Sequence, residues 1–75
     1  MSTELALPAT LHKLGAVSLR TGLSRSALYR EIRNPKNVHG EIRVNEQGRL
    51  RVVHVGRSIR VREQDLIEFL NSLGE

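Results

Sequence analysis

The Asn34-Pro35 pair divides the chain into two kinds of pattern, and that division constrains the fold more than any other feature. Before it, apolar residues recur with the 3.6-residue period of helices. Beyond it the period falls to two, the mark of strands. Proline disfavours helical geometry at the residue it follows, so a helix running toward Asn34 stops there. Helical patterns first, alternation next and a final helical pattern predict an α+β fold. With 75 residues and no cysteine, the chain has a modest core, because one this short buries only ~60% of the surface it exposes when unfolded. Disulfides and the usual structural zinc ligands are excluded as staples. No apolar run approaches the ~20 residues needed to cross a bilayer, and no signal peptide is recognisable, so a cytoplasmic domain with no membrane partner is expected.

Residues 1–10 are expected to form a flexible N-terminus, and residues 11–75 a single domain. Residues 8–14 read as a short helical turn, with Pro8 at its first position. The next helix spans residues 15–22, Leu14 and Val17 facing inward and Gly22 acting as a left-handed stop. Ser24 suits the N-cap of another helix, predicted from Arg25 to Arg33. On its wheel Leu28 and Ile32 form the buried stripe. Tyr29, Arg33, Ser26 and Arg30 share an arc of about 100° on the other side, and Arg25 lies near the helix start, in reach of a phosphate. Glu31 falls outside that arc. Guanidinium forks and hydroxyls on one face suit the major groove of DNA.

Beyond the proline, Ile42 and Val44 alternate with polar residues as a candidate strand, and Asn45-Glu46-Gln47-Gly48 reads as a turn. A second strand covers residues 49–55 and a third residues 58–62, joined by Gly56-Arg57 as a two-residue hairpin loop. That loop pairs His54 with Ile59 and Val52 with Val61, putting Leu50, Val52, His54, Ile59 and Val61 on one face and Arg51, Arg60 and Arg62 on the other. A three-residue loop would group Val53, Val55, Ile59 and Val61 instead, and the Val52-Val53 pair leaves both registers open. Leu66, Phe69, Leu70 and Leu73 then mark an amphipathic closing helix, with Glu63 and Asp65 in its first turn and Gly74 as its stop.

Charge is segregated along the chain. Residues 20–62 hold eleven Lys or Arg against Glu31, Glu41 and Glu46, whereas residues 63–75 hold four acids and no base. A basic middle with an acidic end is the footprint of a domain that offers one face to a polyanion.

Two stretches carry a family resemblance. Arg20-Thr21-Gly22-Leu23-Ser24-Arg25-Ser26-Ala27-Leu28-Tyr29-Arg30-Glu31-Ile32 resembles the helix-turn-helix signature of phage excisionases and AlpA-type prophage regulators, small relatives of the MerR DNA-binding domain. Val53-His54-Val55-Gly56-Arg57-Ser58-Ile59-Arg60-Val61-Arg62-Glu63-Gln64-Asp65-Leu66 resembles their wing and closing helix. The resemblance covers about two-thirds of the chain. It implies a winged helix-turn-helix of two short helices, a two- or three-stranded antiparallel wing sheet and a C-terminal packing helix. By matching positions it implies Arg25, Ser26, Tyr29 and Arg30 as groove readers and Arg57 as the wing-tip contact. Arg33 and Arg60 join them on the wheel and strand arguments alone. The chain departs from the family at residues 34–48, an insertion between reading helix and wing; its Lys36 and Arg43 read as phosphate contacts or as solvated charges, the second being favoured.

The function expected is that of an excisionase-like recombination directionality factor. It would bind double-stranded DNA, associate with further copies on adjacent repeats, bend the site and favour excision by an integrase. The alternatives are a small AlpA- or MerR-like transcription regulator and, from another class, a protein adaptor. Tyr29 and Phe69 are too few aromatics for an RNA-stacking platform. Catalysis is not expected: Gly22-Leu23-Ser24-Arg25-Ser26 lacks the second glycine of a nucleophile elbow. His12, His39 and His54 share no ligand spacing, so neither metal nor cofactor is expected. His54 reads as a half-buried sheet residue or a phosphate donor.

Overall fold

The computed structural model describes residues 10–74; the expectations for residues 1–9 and for Glu75 lie outside that range. It is an α+β fold of three helices and a three-stranded antiparallel sheet, in the order β1 (Leu11–Lys13), α1 (Leu14–Thr21), α2 (Arg25–Glu31), β2 (Val53–Val55), β3 (Ser58–Arg62) and α3 (Glu63–Leu73).

The two short helices follow from local chemistry. Gly22 takes φ 77° and returns its N–H to the Ser18 carbonyl, ending α1 in a conformation that side chains disfavour. Ser18 Oγ donates to the Leu23 carbonyl and Thr21 Oγ1 accepts from the Leu23 N–H, so the three-residue turn is held from both ends. Ser24 then caps α2, its Oγ accepting from the Ala27 N–H at 3.2 Å.

The end of α2 differs from expectation. The helix stops at Glu31, and Ile32 is already extended with ψ 124°. Residues 45–50 take over its last carbonyls before Pro35 acts. Leu50 N–H donates to Glu31 O at 2.8 Å, and Asn45 Nδ2 donates to the carbonyls of Arg30 and Ile32. Arg33 N–H in turn donates to Leu50 O. Arg33 is therefore off the helix, and the wheel position assigned to it does not exist.

The sheet is ordered β1-β3-β2. Its third strand is β1, not the alternating segment around Ile42: Leu11, His12 and Lys13 pair with Arg62, Val61 and Arg60. At Leu11–Lys13 this strand replaces the helical turn expected over residues 8–14, whose first two positions lie outside the described residues. Residues 42–44 make only a single bridge, Ile42 to Lys36, and leave Ile42 57% and Val44 66% exposed. Between β2 and β3 the register is His54↔Ile59 and Val55↔Ser58, which is the two-residue Gly56-Arg57 loop, with Gly56 at φ 60°. The strand expected from residue 49 enters the ladder only at Val53. Ahead of it the Asn34 side chain stands in for a neighbouring strand, accepting from the Val52 N–H at 3.0 Å and donating to the Val52 carbonyl at 2.8 Å.

The core draws on every helix. Leu14 and Val17 of α1, Leu28 of α2, Val61 of β3, and Leu66 and Phe69 of α3 are buried, joined by Ile32, Leu50 and Val52. α3 starts without a side-chain cap, Glu63 N–H reaching the Thr10 carbonyl. Gly74, at φ −81°, ends it in ordinary right-handed geometry and not as a left-handed stop. Among the described residues no helix is long and apolar enough to cross a membrane.

Candidate nucleic-acid interface

Burying Leu28 on the core side turns the opposite face of α2 to solvent. Arg25, Ser26, Tyr29 and Arg30 are all exposed there, Tyr29 by 54%. The β2–β3 hairpin stands beside this face with Arg57 in its two-residue loop. Arg60 follows in the middle of β3, directly opposite Lys13 across the β1–β3 ladder. Directly opposed residues share a sheet face, so these two cations are neighbours on the side away from Val61.

Helix and hairpin enclose a cleft of about 290 Å³ that brings together Lys13, Arg25, Tyr29, Arg57 and Arg60. None of the described residues lining it carries a carboxylate. The Arg25 guanidinium lies over Gly15, where Nη2 would be 3.1 Å from any Cβ, so the absence of a side chain at Gly15 leaves this arginine room. Arg60 Nη1 donates to the Ile59 carbonyl at 2.9 Å.

Outside the cleft, two carboxylates among the described residues pair with other cations. Glu31 takes Arg49 through two bonds, 3.1 and 2.9 Å, and that pairing holds the Glu31 carboxyl below its ordinary range while raising the arginine. Arg49 also lies over the Phe69 ring, 5.9 Å from its centroid. Glu63 accepts from His12 and from Arg20, and these contacts, the histidine's first, lower its pKa. Arg20 and Arg49 are thereby neutralised on the flanks, whereas no cleft cation pairs with a carboxylate among the described residues.

Of the residues expected from the sequence, Arg25, Tyr29, Arg57 and Arg60 converge on one cleft, and Ser26 and Arg30 share the exposed face of α2. Arg33 does not join them. Its Nη1 donates to the carbonyls of Gly48 and Glu46 at 3.3 and 3.4 Å, bracing the returning loop. His54 is half-buried and its Nε2–H donates to the Asn34 carbonyl, so it serves the loop as well. One cleft residue, Lys13, has no counterpart among the sites expected from the sequence. Lys13 was assigned to a helical turn, and its opposition to Arg60, 47 positions away, has no local signature. Lys36, for which a solvated charge is the favoured expectation over a phosphate contact, lines a second groove beside Tyr29 and Arg57. Comparison with protein-family models, with curated proteins and with solved structures finds no match.

Proposed function

We propose that this chain is a winged helix-turn-helix protein that binds double-stranded DNA, with α2 in the major groove and the β2–β3 hairpin as its wing. The observation that carries the reading is the convergence of Lys13, Arg25, Arg57 and Arg60 on one cleft whose described lining has no carboxylate. Lys13 and Arg60 repel each other across the ladder, an arrangement that costs the free protein roughly 0.2–1 kcal/mol and is relieved by a bound anion. Phosphodiester oxygens supply that anion, and arginine is suited to hold them with paired N–H donors. α2, like any α-helix about 10–12 Å across with its side chains, fits a major groove of about 12 Å width. In that pose Ser26 and Arg30 meet base edges, while Arg25 and Arg57 hold the strand that runs between helix and hairpin.

The narrower reading is an excisionase-like directionality factor, supported by the resemblance of the reading-helix and wing motifs. Copies on adjacent repeats would bend attachment-site DNA and favour an integrase acting on it. Titration of a labelled duplex, followed by fluorescence anisotropy at increasing salt, tests the DNA reading; a folded protein that leaves every duplex unbound at low salt removes it. An excision assay with an integrase encoded beside the gene, run against a promoter reporter, then separates recombination from transcriptional control.

A further inference from the structure

Residues 35–43 form a second hairpin on the same side of the molecule as the first. Lys36 bridges Ile42, Arg43 N–H donates to Pro35 O, and Asn37 N–H donates to Glu41 O. The Asn37 side chain ties the tip together. Its Oδ1 accepts from the N–H groups of His39 and Glu41, and its Nδ2 donates to the Glu41 carboxylate. Gly40, at φ 82°, completes the turn. The result is a built projection whose tip residue, Val38, is 94% exposed.

This tip faces the Gly56-Arg57 tip across a groove of about 460 Å³, with Tyr29 and Ile32 between them. Lys36 stands on one wall and Arg57 on the other, and no described lining residue is acidic. The groove continues into the cationic cleft, since Tyr29, Arg57 and Ile59 line both. Arg57 therefore has Lys13, Arg25 and Arg60 to one side and Lys36 to the other. Arg43 provides an internal contrast: it carries the same charge on the same hairpin but does not line the groove.

We propose that the 35–43 hairpin is a second DNA-contacting finger, and that one phosphodiester strand of a duplex lies between it and the β2–β3 hairpin, held from opposite sides by Lys36 and Arg57. The proposal rests on the DNA-binding reading and extends its footprint. Charge complementarity identifies the occupant. Cations on both walls suit phosphate oxygens, and Pro35, Val38 and Ile59 offer carbon surface to sugars. An apolar peptide seated there would desolvate both cations without a partner.

The first measurement is the salt dependence of affinity for a mixed-sequence duplex. Lys36→Gln lowers the log–log slope by about 0.9, the share of one phosphate, whereas Arg43→Gln leaves it at the wild-type value. Equal slopes for wild type and Lys36→Gln overturn the proposal. Wild-type protein with no salt-dependent binding overturns the underlying DNA reading instead. A second measurement uses the lack of native cysteine. Val38→Cys carrying an iron-chelate cleavage reagent cuts the backbone of a bound duplex; bound but uncut DNA overturns the finger. Sedimentation of the free protein covers the other occupant. A dimer that Val38→Asp dissociates, with DNA affinity unchanged, reassigns the groove to a second copy of the chain.

Discussion

Replacing Arg57 by glutamine removes one charge from the tip of the β2–β3 hairpin while leaving Gly56, which makes the turn, in place. Four cations line the cleft between α2 and the hairpin. If each neutralises one phosphate, the four alone give log K against log salt a slope of about −3.6, and affinity drops about 150-fold between 50 and 200 mM salt. Without Arg57 the slope becomes about −2.7 and the same change in salt costs about 40-fold. Arg20→Gln is the matched control, because Arg20 is already paired with Glu63 outside the cleft. Anisotropy titrations of one duplex with the three proteins at four salt concentrations separate these slopes. Should Arg57→Gln keep the wild-type slope, or Arg20→Gln lower it as far, the cleft is not where phosphates are held.

Selection from random duplexes should show Arg30→Ala with a relaxed base preference, while Arg57→Ala weakens all sequences alike. Asn34→Ala strips both hydrogen bonds from the Val52 backbone. It should lower stability by about 1–3 kcal/mol in urea denaturation, the cost of leaving a buried polar group unpaired. Stability should also fall on acidification. Glu31 and Glu63 have folded pKa values below their ordinary 4.5, so the unfolded chain takes up protons first. Their contribution is complete above pH 4.5 and is lost as pH descends through the folded values. Thermal melts of Glu31→Gln should show a shallower acid dependence than wild type.

What the sequence made legible was local. The Gly22 stop, the Ser24 cap, the Gly56-Arg57 loop and the amphipathic stripe of α3 all act within a few residues, and each stands where expected. The misplacements came from partners far along the chain. Leu11–Lys13 is too short to show a period, and its strand conformation is imposed by β3 some fifty residues later. α2 ends early because Asn45 and Leu50 supply its donors, a long-range capture that no property of Arg33 announces. Ile42 and Val44 alternate as a strand would, yet bury little, so alternation without a sheet to join misleads. The candidate site divides the same way: the face of α2 was readable from its wheel, but Lys13 and Lys36 reach it only through tertiary folding.

Residues 32–33 and 48–50 lie against one another, so closely that a Cβ on Gly48 would come within 2.7 Å of the Ile32 carbonyl. The chain departs and comes back through a single docking port. Between those two points residues 36–42 form no part of the buried core. Segment 36–42 is thus open to exchange, and if the proposed DNA reading holds, grafting other short loops there would change how much duplex the protein spans.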